Sequence, residues 1–252
     1  MIDVIILSIV QGITEFIPIS SSSHLILVSD FLNHTNQNLS IDVSLHIGSF
    51  FAVIFFFKKD IFNFVKNKDL FFKILVSSIP VMMIGFILVK FELIESLRNI
   101  KTIGWTTLIF GILLYFSDKF EKKNNIKKNF SIKTAIIIGI FQVLSLVPGV
   151  SRSGISITAA RFMKFERVES AKISFLLSIP TLAAVSIFGI HNLTSSNNLE
   201  FSLLNIFAIF LSFTFSLITI KFFLKFVNKF SLNIFVIYRI SLGLIILILG
   251  YL

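Results

Sequence analysis

The sequence predicts an all-α polytopic membrane protein with six transmembrane helices and two re-entrant helical hairpins in an inverted repeat. Three observations support this fold class: an apolar composition, an uneven distribution of basic residues, and two proline-centred polar segments inside apolar runs. Of the 252 residues, 55% are hydrophobic, and the mean hydropathy is +0.93. This composition is too apolar for a soluble domain and is typical of helices that cross a bilayer.

Charge and cysteine content narrow the class further. The net charge is +10 and resides mainly in the segments between apolar runs. Such a pattern favours topology signals and contacts with anionic lipid, so we expect a lipid bilayer as partner and no nucleic acid. The chain has no cysteine, which excludes disulfides and thiolate metal sites. We expect no cleavable signal peptide, because the first residues lack a basic segment.

The basic residues predict the orientation of the chain. Most of the 23 lysines and arginines fall in four loops, which the positive-inside rule places in the cytoplasm. These loops are residues 58–73, 118–133, 161–172 and 221–229. Three other loops, with few or balanced basic residues, are expected outside: residues 30–42, 90–101 and 190–201.

This alternation predicts six spanning helices with both termini outside. The predicted spans lie near residues 43–57, 74–90, 102–117, 172–189, 202–220 and 233–251. Residues 1–30 and 133–160 each begin and end on one side and contain a central proline, Pro18 or Pro148. We expect two re-entrant hairpins of half-helices there, because irregular backbone at membrane depth must be buried in protein or line a cavity.

The order of elements predicts an inverted repeat in one membrane domain, 1–252, with halves of approximately 1–118 and 130–252. Each half has a hairpin followed by three spans, and the two hairpins enter from opposite sides. A weak echo supports the repeat, because Gln11 precedes Pro18 much as Gln142 precedes Pro148. Such repeats place half-helix N-termini around an anion near the midplane, and they are common in transporters.

The first hairpin carries a carboxylate, a run of hydroxyls and an imidazole. Gln11 and Glu15 are four residues apart, so they share one helix face and can jointly hold a divalent cation through oxygen. After Pro18, the segment 20–23 is four serines, whose hydroxyls and free backbone N–H groups suit an anion at a helix start. His24 follows Ser21 by three residues, so both are expected to face one point.

The second hairpin carries a guanidinium among hydroxyls. Gly149 permits a tight turn and close approach of backbone to ligand. Ser151 is a natural helix N-cap, and Arg152 offers a planar fork for a phosphate. Ser153 and Ser156 extend the hydroxyl lining.

Each of these residues also has a purely structural interpretation. The serine run is also typical of a linker, and a lone histidine at a helix start is often structural. Glu15 can be a buried protonated acid or a partner of Arg152, and Gln11 can simply bond a neighbouring helix. Arg239, inside a predicted span, can contact a phosphate or pair with a carbonyl or carboxylate.

Together the two motifs resemble those of the undecaprenyl-pyrophosphate phosphatase family, also known as bacitracin-resistance proteins. The family's first motif is Glu or Gln, three residues, Glu, then a proline-serine turn and a histidine. Its second motif is Pro-Gly-x-Ser-Arg-Ser followed by a hydroxyl residue. The matching residues are Gln11, Glu15, Pro18, Ser20, Ser21, His24, Pro148, Gly149, Ser151, Arg152, Ser153 and Ser156. Ser23 departs from the usual Gly or Ala, and Ser156 from the usual Thr.

The resemblance implies hydrolysis of undecaprenyl pyrophosphate to undecaprenyl phosphate and inorganic phosphate. This activity would recycle the lipid carrier for peptidoglycan synthesis and confer bacitracin resistance. It also implies a divalent cation such as Mg or Ca, and a site in the bacterial cytoplasmic (inner) membrane that faces outward. The sequence is compatible with a homodimer.

Pyrophosphate hydrolysis needs charge neutralisation and an in-line nucleophile. We assign neutralisation to Arg152, to backbone N–H groups after the two prolines, and to a metal held by Gln11 and Glu15. Ser21 is the favoured nucleophile, with His24 or Glu15 as general base. The expected substrate-binding residues are Ser20, Ser22, Gly149, Ser151, Ser153 and Ser156.

Three alternatives to this mechanism and function remain at the level of sequence. His24 can attack directly, or a metal-bound water can attack with Glu15 as base. The alternative function is a lipid-phosphate or anion transporter or flippase on the same inverted-repeat fold. Clustering of a nucleophile, a base and an arginine at one predicted site favours the enzyme.

Overall fold

The computed structural model describes residues 1–31, 39–64, 68–91, 93, 97–120, 123–195 and 202–252. Within those ranges the chain forms twelve α-helices, one 3-10 turn at Leu144–Leu146, and no strand. The helices are α1 (Ile2–Thr14), α2 (Ser21–Phe31), α3 (Leu39–Phe56), α4 (Lys58–Phe64), α5 (Lys68–Lys90), α6 (Ile100–Asp118), α7 (Ile126–Asn129), α8 (Ile132–Val143), α9 (Arg152–Phe162), α10 (Arg167–Ser195), α11 (Leu203–Lys229) and α12 (Asn233–Tyr251).

Five described helices, α5, α6, α10, α11 and α12, are long and apolar enough to cross a membrane. Helices α1 and α3 and the stretch through α8 are apolar but shorter. The outward faces of the long helices carry many exposed large apolar side chains, such as Phe86 of α5 and Phe210 of α11. An apolar exterior of this kind suits lipid, so the prediction of an all-helical polytopic membrane protein is confirmed.

Several predicted boundaries were wrong. Helix α11 continues to Lys229, so the predicted loop 221–229 is helical, and α10 already begins at Arg167. The short helices α4 and α7 were not predicted within the loops 58–73 and 118–133. Backbone hydrogen bonding can continue beyond the apolar part of a helix, because the aliphatic stems of lysines still cover apolar surface there. Hydropathy therefore predicts the apolar part of a helix and not the residue at which the helix ends. The predicted loops 30–42 and 190–201 fall partly outside the described residues.

The two segments around Pro18 and Pro148 each form a pair of short helices with a turn between them. Helices α1 and α2 form the first pair, and α8 and α9 form the second. The first helix of each pair packs on a long helix from the other half of the sequence, α1 on α11 and α8 on α5. Helix α9 also packs on α6 and α10, and α6 packs along α12. The proline turns therefore lie inside protein.

An aromatic cluster anchors the first turn. Phe16, directly after Glu15, is fully buried and meets Phe175 of α10 edge to face, with ring centroids 5.4 Å apart. Phe175 in turn contacts Phe57 and Phe223. This edge-to-face packing against α10 fixes Phe16 and with it the backbone at the neighbouring carboxylate.

A buried ionic cluster ties four helices together, and we name it the Asp118 cluster. Asp118, the last residue of α6, accepts two hydrogen bonds of 2.7 Å from Arg167 of α10. Its carboxylate also lies 3.4 Å from Arg161 of α9 and accepts the backbone N–H of Leu232, which precedes α12. The Arg161 side chain is fully buried, so its charge depends on this carboxylate and on nearby carbonyls.

Candidate active site

The first turn starts where α1 ends at Thr14 and Pro18 prevents further helical bonding. Ser20 has a φ of +77°, a left-handed conformation that reverses the chain and starts α2 at Ser21. Left-handed backbone is unfavourable for a residue with a side chain, and such strain concentrates at functional sites. The turn directs the N-terminus of α2 back toward Glu15.

The second turn has the same construction. Gly149 and Ser151 have φ of +91° and +71°, and Ser151 Oγ accepts the N–H of Gly154 at 3.1 Å, which caps α9. A Cβ on Gly149 would lie 2.0 Å from Thr106 Oγ1, so only glycine fits. Thr106 Oγ1 also donates to the Pro148 carbonyl at 2.6 Å. The roles predicted for Gly149 and Ser151 in the turn agree with this geometry.

The two turns touch each other directly. Ser153 Oγ donates to the Ile17 carbonyl at 2.8 Å, and Arg152 Nη2 lies 3.2 Å from Glu15 Oε1. The positive ends of α2 and α9 are therefore brought to one place, which is an environment for an anion.

Arg239 of α12 forms hydrogen bonds with both turns. Its guanidinium donates to the carbonyls of Pro18 at 3.2 Å, Gly149 at 2.9 Å and Thr107 at 3.3 Å, and the residue is fully buried. All three of its nitrogens are therefore used by backbone. The sequence left three kinds of partner possible for Arg239: a phosphate, a carbonyl or a carboxylate. In the structure its hydrogen bonds go to backbone carbonyls, and two of these belong to the proline turns.

Arg152 is placed differently from Arg239. Nη2 donates to the side chain and carbonyl of Glu15, and Nη1 donates to the Ser174 carbonyl at 3.1 Å. The hydrogen bonds within the described residues leave its Nε–H and one Nη1–H available, and the side chain is 14% exposed. Arg152 can therefore bind an oxyanion without leaving its carboxylate partner.

Glu15 is the centre of the polar contacts. Ser21 Oγ donates to Glu15 Oε2 at 2.6 Å, and Gln11 Nε2 donates to the same oxygen at 3.1 Å. At the start of α2 the hydroxyl thus bonds a carboxylate that also pairs with the Arg152 guanidinium. This is the arrangement of an activated nucleophile.

His24 does not bond Ser21 within the described residues. Its Nδ1 lies 2.7 Å from the Ser20 carbonyl, and since a carbonyl only accepts, Nδ1 carries the hydrogen. Its Nε2 lies 2.6 Å from the hydroxyl of Tyr238 on α12, and the two rings are stacked. Within the described residues Ser21 therefore contacts the Glu15 carboxylate and not the His24 imidazole.

The remaining predicted serines divide into two groups. Ser20 bonds Ser22 and Ser23 through hydroxyls at 3.3 and 3.1 Å, and Ser151 bonds Ser153 at 3.1 Å, all beside the turns. Ser156 is different, because it is buried and donates to Gln142 at 3.3 Å, between the arms of the second pair. The structure therefore does not bring Ser156 to Glu15.

Sequence reasoning missed His46 and Tyr238 as members of the site. His46 of α3 accepts from Gln11 Nε2 at 3.1 Å through Nδ1. The available signal was an imidazole inside a predicted span, which is costly without a partner. Tyr238 gave a weaker signal, since tyrosine is ordinary near membrane interfaces, and only its position beside Arg239 set it apart.

The residues around Gln11 include donors for a cation. The described residues contain no group of three or more His, Cys, Asp or Glu placed to hold a metal ion. Within the described residues Gln11 Oε1 is buried without a hydrogen-bond partner, and Nε2 of the same amide bonds the Glu15 carboxylate and the His46 ring. This set fits a divalent cation that takes its remaining ligands from substrate phosphate and water.

Fold and site together define a multi-pass helical membrane protein in which two buried proline turns bring two helix N-termini together. The family described as "Bacitracin resistance protein BacA" matches residues 4–245, so the chain belongs to this family. Its relatives include proteins named undecaprenyl-diphosphatase. That of Pelagibacter ubique is 47% identical over 252 residues, which are 100% of this chain and 98% of the relative. Those of Chromohalobacter salexigens and Jannaschia sp. are 38% and 36% identical, covering 97% and 98% of this chain and 97% of each relative.

Proposed function

We propose that the chain is a membrane phosphatase that hydrolyses undecaprenyl diphosphate to undecaprenyl phosphate and inorganic phosphate. The hydrogen bond of 2.6 Å from Ser21 Oγ to Glu15 carries this proposal, because it joins a nucleophile to a base beside Arg152. The relatives named undecaprenyl-diphosphatase support the same activity over the transporter alternative. Family membership connects the activity with bacitracin resistance. We propose that the product is the lipid carrier recycled for peptidoglycan synthesis.

Ser21 Oγ attacks the terminal phosphorus and forms a new O–P bond, while its proton passes to Glu15. The bond from that phosphorus to the bridging oxygen breaks, and undecaprenyl phosphate leaves with the bonding electrons. Water then cleaves the phosphoserine, giving inorganic phosphate and the free hydroxyl. Throughout, the free N–H groups of Arg152 and the N-termini of α2 and α9 bind the phosphoryl oxygens.

We place the site in the bacterial cytoplasmic membrane, facing outward. The proposed layout has six spans, α3, α5, α6, α10, α11 and α12, with the pairs α1–α2 and α8–α9 as re-entrant hairpins. The distribution of basic residues supports the orientation. The reciprocal packing of α1 on α11 and α8 on α5 supports an inverted repeat. Undecaprenyl diphosphate then reaches the site from the bilayer with its headgroup outside.

Replacing Arg152 with alanine tests the proposal. We expect detergent-purified wild type to release phosphate from undecaprenyl diphosphate and the variant to lose about 10²- to 10³-fold, as for other removed oxyanion donors. Arg152→Lys, which keeps the charge without the fork, should recover only part of the rate.

Lys229→Ala is the matched control, because Lys229 is an exposed cation in the last turn of α11. It should release phosphate as wild type does. Folded wild type that binds the lipid but releases no phosphate, with or without EDTA, would contradict the phosphatase and favour the transporter alternative.

We also propose that Gln11, Glu15 and His46 hold a divalent cation, whose chemistry is charge neutralisation at the phosphate. The proposed cation is Mg²⁺ or Ca²⁺, and Mn²⁺, a paramagnetic ion that takes the same carboxylate and carbonyl ligands, is the probe. We expect His46→Ala to weaken Mn²⁺ binding to the purified protein by about tenfold or more, measured by electron paramagnetic resonance without substrate. His191→Ala, an exposed position on α10, should bind like wild type. Equal binding by both variants would remove His46 from the ligand set.

A further inference from the structure

Helix α2 carries Ser21 at its first residue but has few large contact surfaces. Within the described residues its extensive packing is against α1 alone. Leu25 adds an apolar anchor in a small cluster with residues of α1, α3 and α11. These contacts hold one side of the helix, and an apolar contact of this kind does not set the rotation of a helix sharply.

The other side of α2 is tied across the site by one directional contact. His24 Nε2 and the Tyr238 hydroxyl are 2.6 Å apart, and the rings stack with centroids separated by 5.7 Å at an angle of 14°. Because Nδ1 carries the hydrogen that bonds Ser20, Nε2 is the acceptor and the Tyr238 hydroxyl is the donor. The imidazole is thus fixed at both nitrogens.

The next residue of α12 completes the geometry. Arg239 fixes the carbonyl of Pro18 in the turn before α2, while Tyr238 fixes a residue one turn into α2. Two adjacent side chains of one helix therefore hold the segment that contains Ser21 from both ends. Tyr238 is 42% exposed, so burial does not require it there.

We propose that Tyr238 is a positioning residue for Ser21, acting through His24 to hold the N-terminus of α2 in register with Glu15 and Arg152. This role rests on the phosphatase function proposed above. In this role Tyr238 belongs to the site but does not contact the reacting phosphorus. It also gives His24 a definite task, as the acceptor that links α2 to α12.

Tyr238→Phe removes the hydroxyl and keeps the ring. We expect kcat for phosphate release to fall about tenfold, because a small displacement of a nucleophile is costly, with KM changed less than about twofold. Two further readouts do not depend on activity. Amide hydrogen exchange should accelerate in residues 21–31, and diethyl pyrocarbonate should modify His24 faster, since Nε2 loses its hydrogen-bond partner.

Tyr251→Phe is the matched control, since its hydroxyl only accepts a long bond of 3.4 Å from Trp105 at the far end of α12. It should behave as wild type in all three measurements. In His24→Phe, the additional change Tyr238→Phe should leave exchange of residues 21–31 unaltered, because the tie is already absent.

Two results would overturn the proposal. Unchanged kcat and unchanged exchange in Tyr238→Phe would show that α2 needs no tie to α12. A raised KM with normal kcat and normal exchange would make Tyr238 a direct substrate contact instead. Failure of the phosphatase function itself is recognised separately, because wild type would then release no phosphate while the exchange and modification readouts still report on the tie.

Discussion

Ser21→Ala is expected to lower phosphate release by at least about 10⁴-fold, because the variant loses the nucleophile itself while other groups still bind the substrate. The hydroxyl is in contact with its base at 2.6 Å, and no other hydroxyl within the described residues bonds Glu15. Phosphate release from detergent-purified protein measures the loss. When wild type turning over substrate with a radiolabelled terminal phosphate is quenched in acid, the label should be found on Ser21. The variant should carry no label.

Ser241→Ala provides the comparison, since Ser241 is an exposed serine of α12 whose hydroxyl has no hydrogen bond to either turn within the described residues. It should retain full activity. An acid-labile phosphoryl group on His24, with activity retained in Ser21→Ala, would instead identify the histidine as the nucleophile. Retained activity without any phosphorylated residue would identify an attacking water with Glu15 as base.

Asp118→Asn is expected to lower the free energy of unfolding by about 3–5 kcal/mol, the usual cost of removing one partner from a buried ionic cluster. The carboxylate is 3% exposed and compensates Arg161, whose side chain is fully buried. Asparagine keeps the volume but leaves that guanidinium without a counter-charge. Reversible unfolding in mixed micelles, followed by circular dichroism, measures the change.

Asp69→Asn is the matched control for this loss of charge. Asp69 pairs with Lys73 one helical turn away, but its side chain is 68% exposed. Exposed pairs contribute about 0–1 kcal/mol, so the control should unfold almost as wild type does. A change in Asp118→Asn no larger than that of the control would show that Arg161 is satisfied by carbonyls alone.

The helical class and the places of the long helices could be predicted because hydropathy and charge are local properties. The two proline turns could be predicted for the same reason, since Pro18 and Pro148 interrupt apolar runs. Helix ends could not, because α11 continues through Lys221 and Lys225 to Lys229 without any change in backbone bonding. Short helices such as α7 depend on caps and tertiary contacts that hydropathy does not record.

The site was predictable as a set of groups and less so as a set of contacts. Glu15, Ser21 and Arg152 meet as their motifs indicate. The spacing of Ser21 and His24 predicts a common direction, yet the imidazole bonds Tyr238, a partner 214 residues away that spacing cannot reveal. The partners of Arg239 are backbone carbonyls. Because every residue has a backbone carbonyl, the sequence does not indicate which ones Arg239 bonds.

Arg239 also determines when the site can form during synthesis. Pro18 precedes Arg239 by 221 residues, so during synthesis the carbonyls of Pro18 and Gly149 lack this shared donor until α12 has been made. Until then the nascent chain has to keep a carboxylate and a run of serines away from lipid. We therefore expect the first hairpin to depend on the insertion machinery or on water at that stage, and chains truncated before α12 to be degraded by membrane proteases.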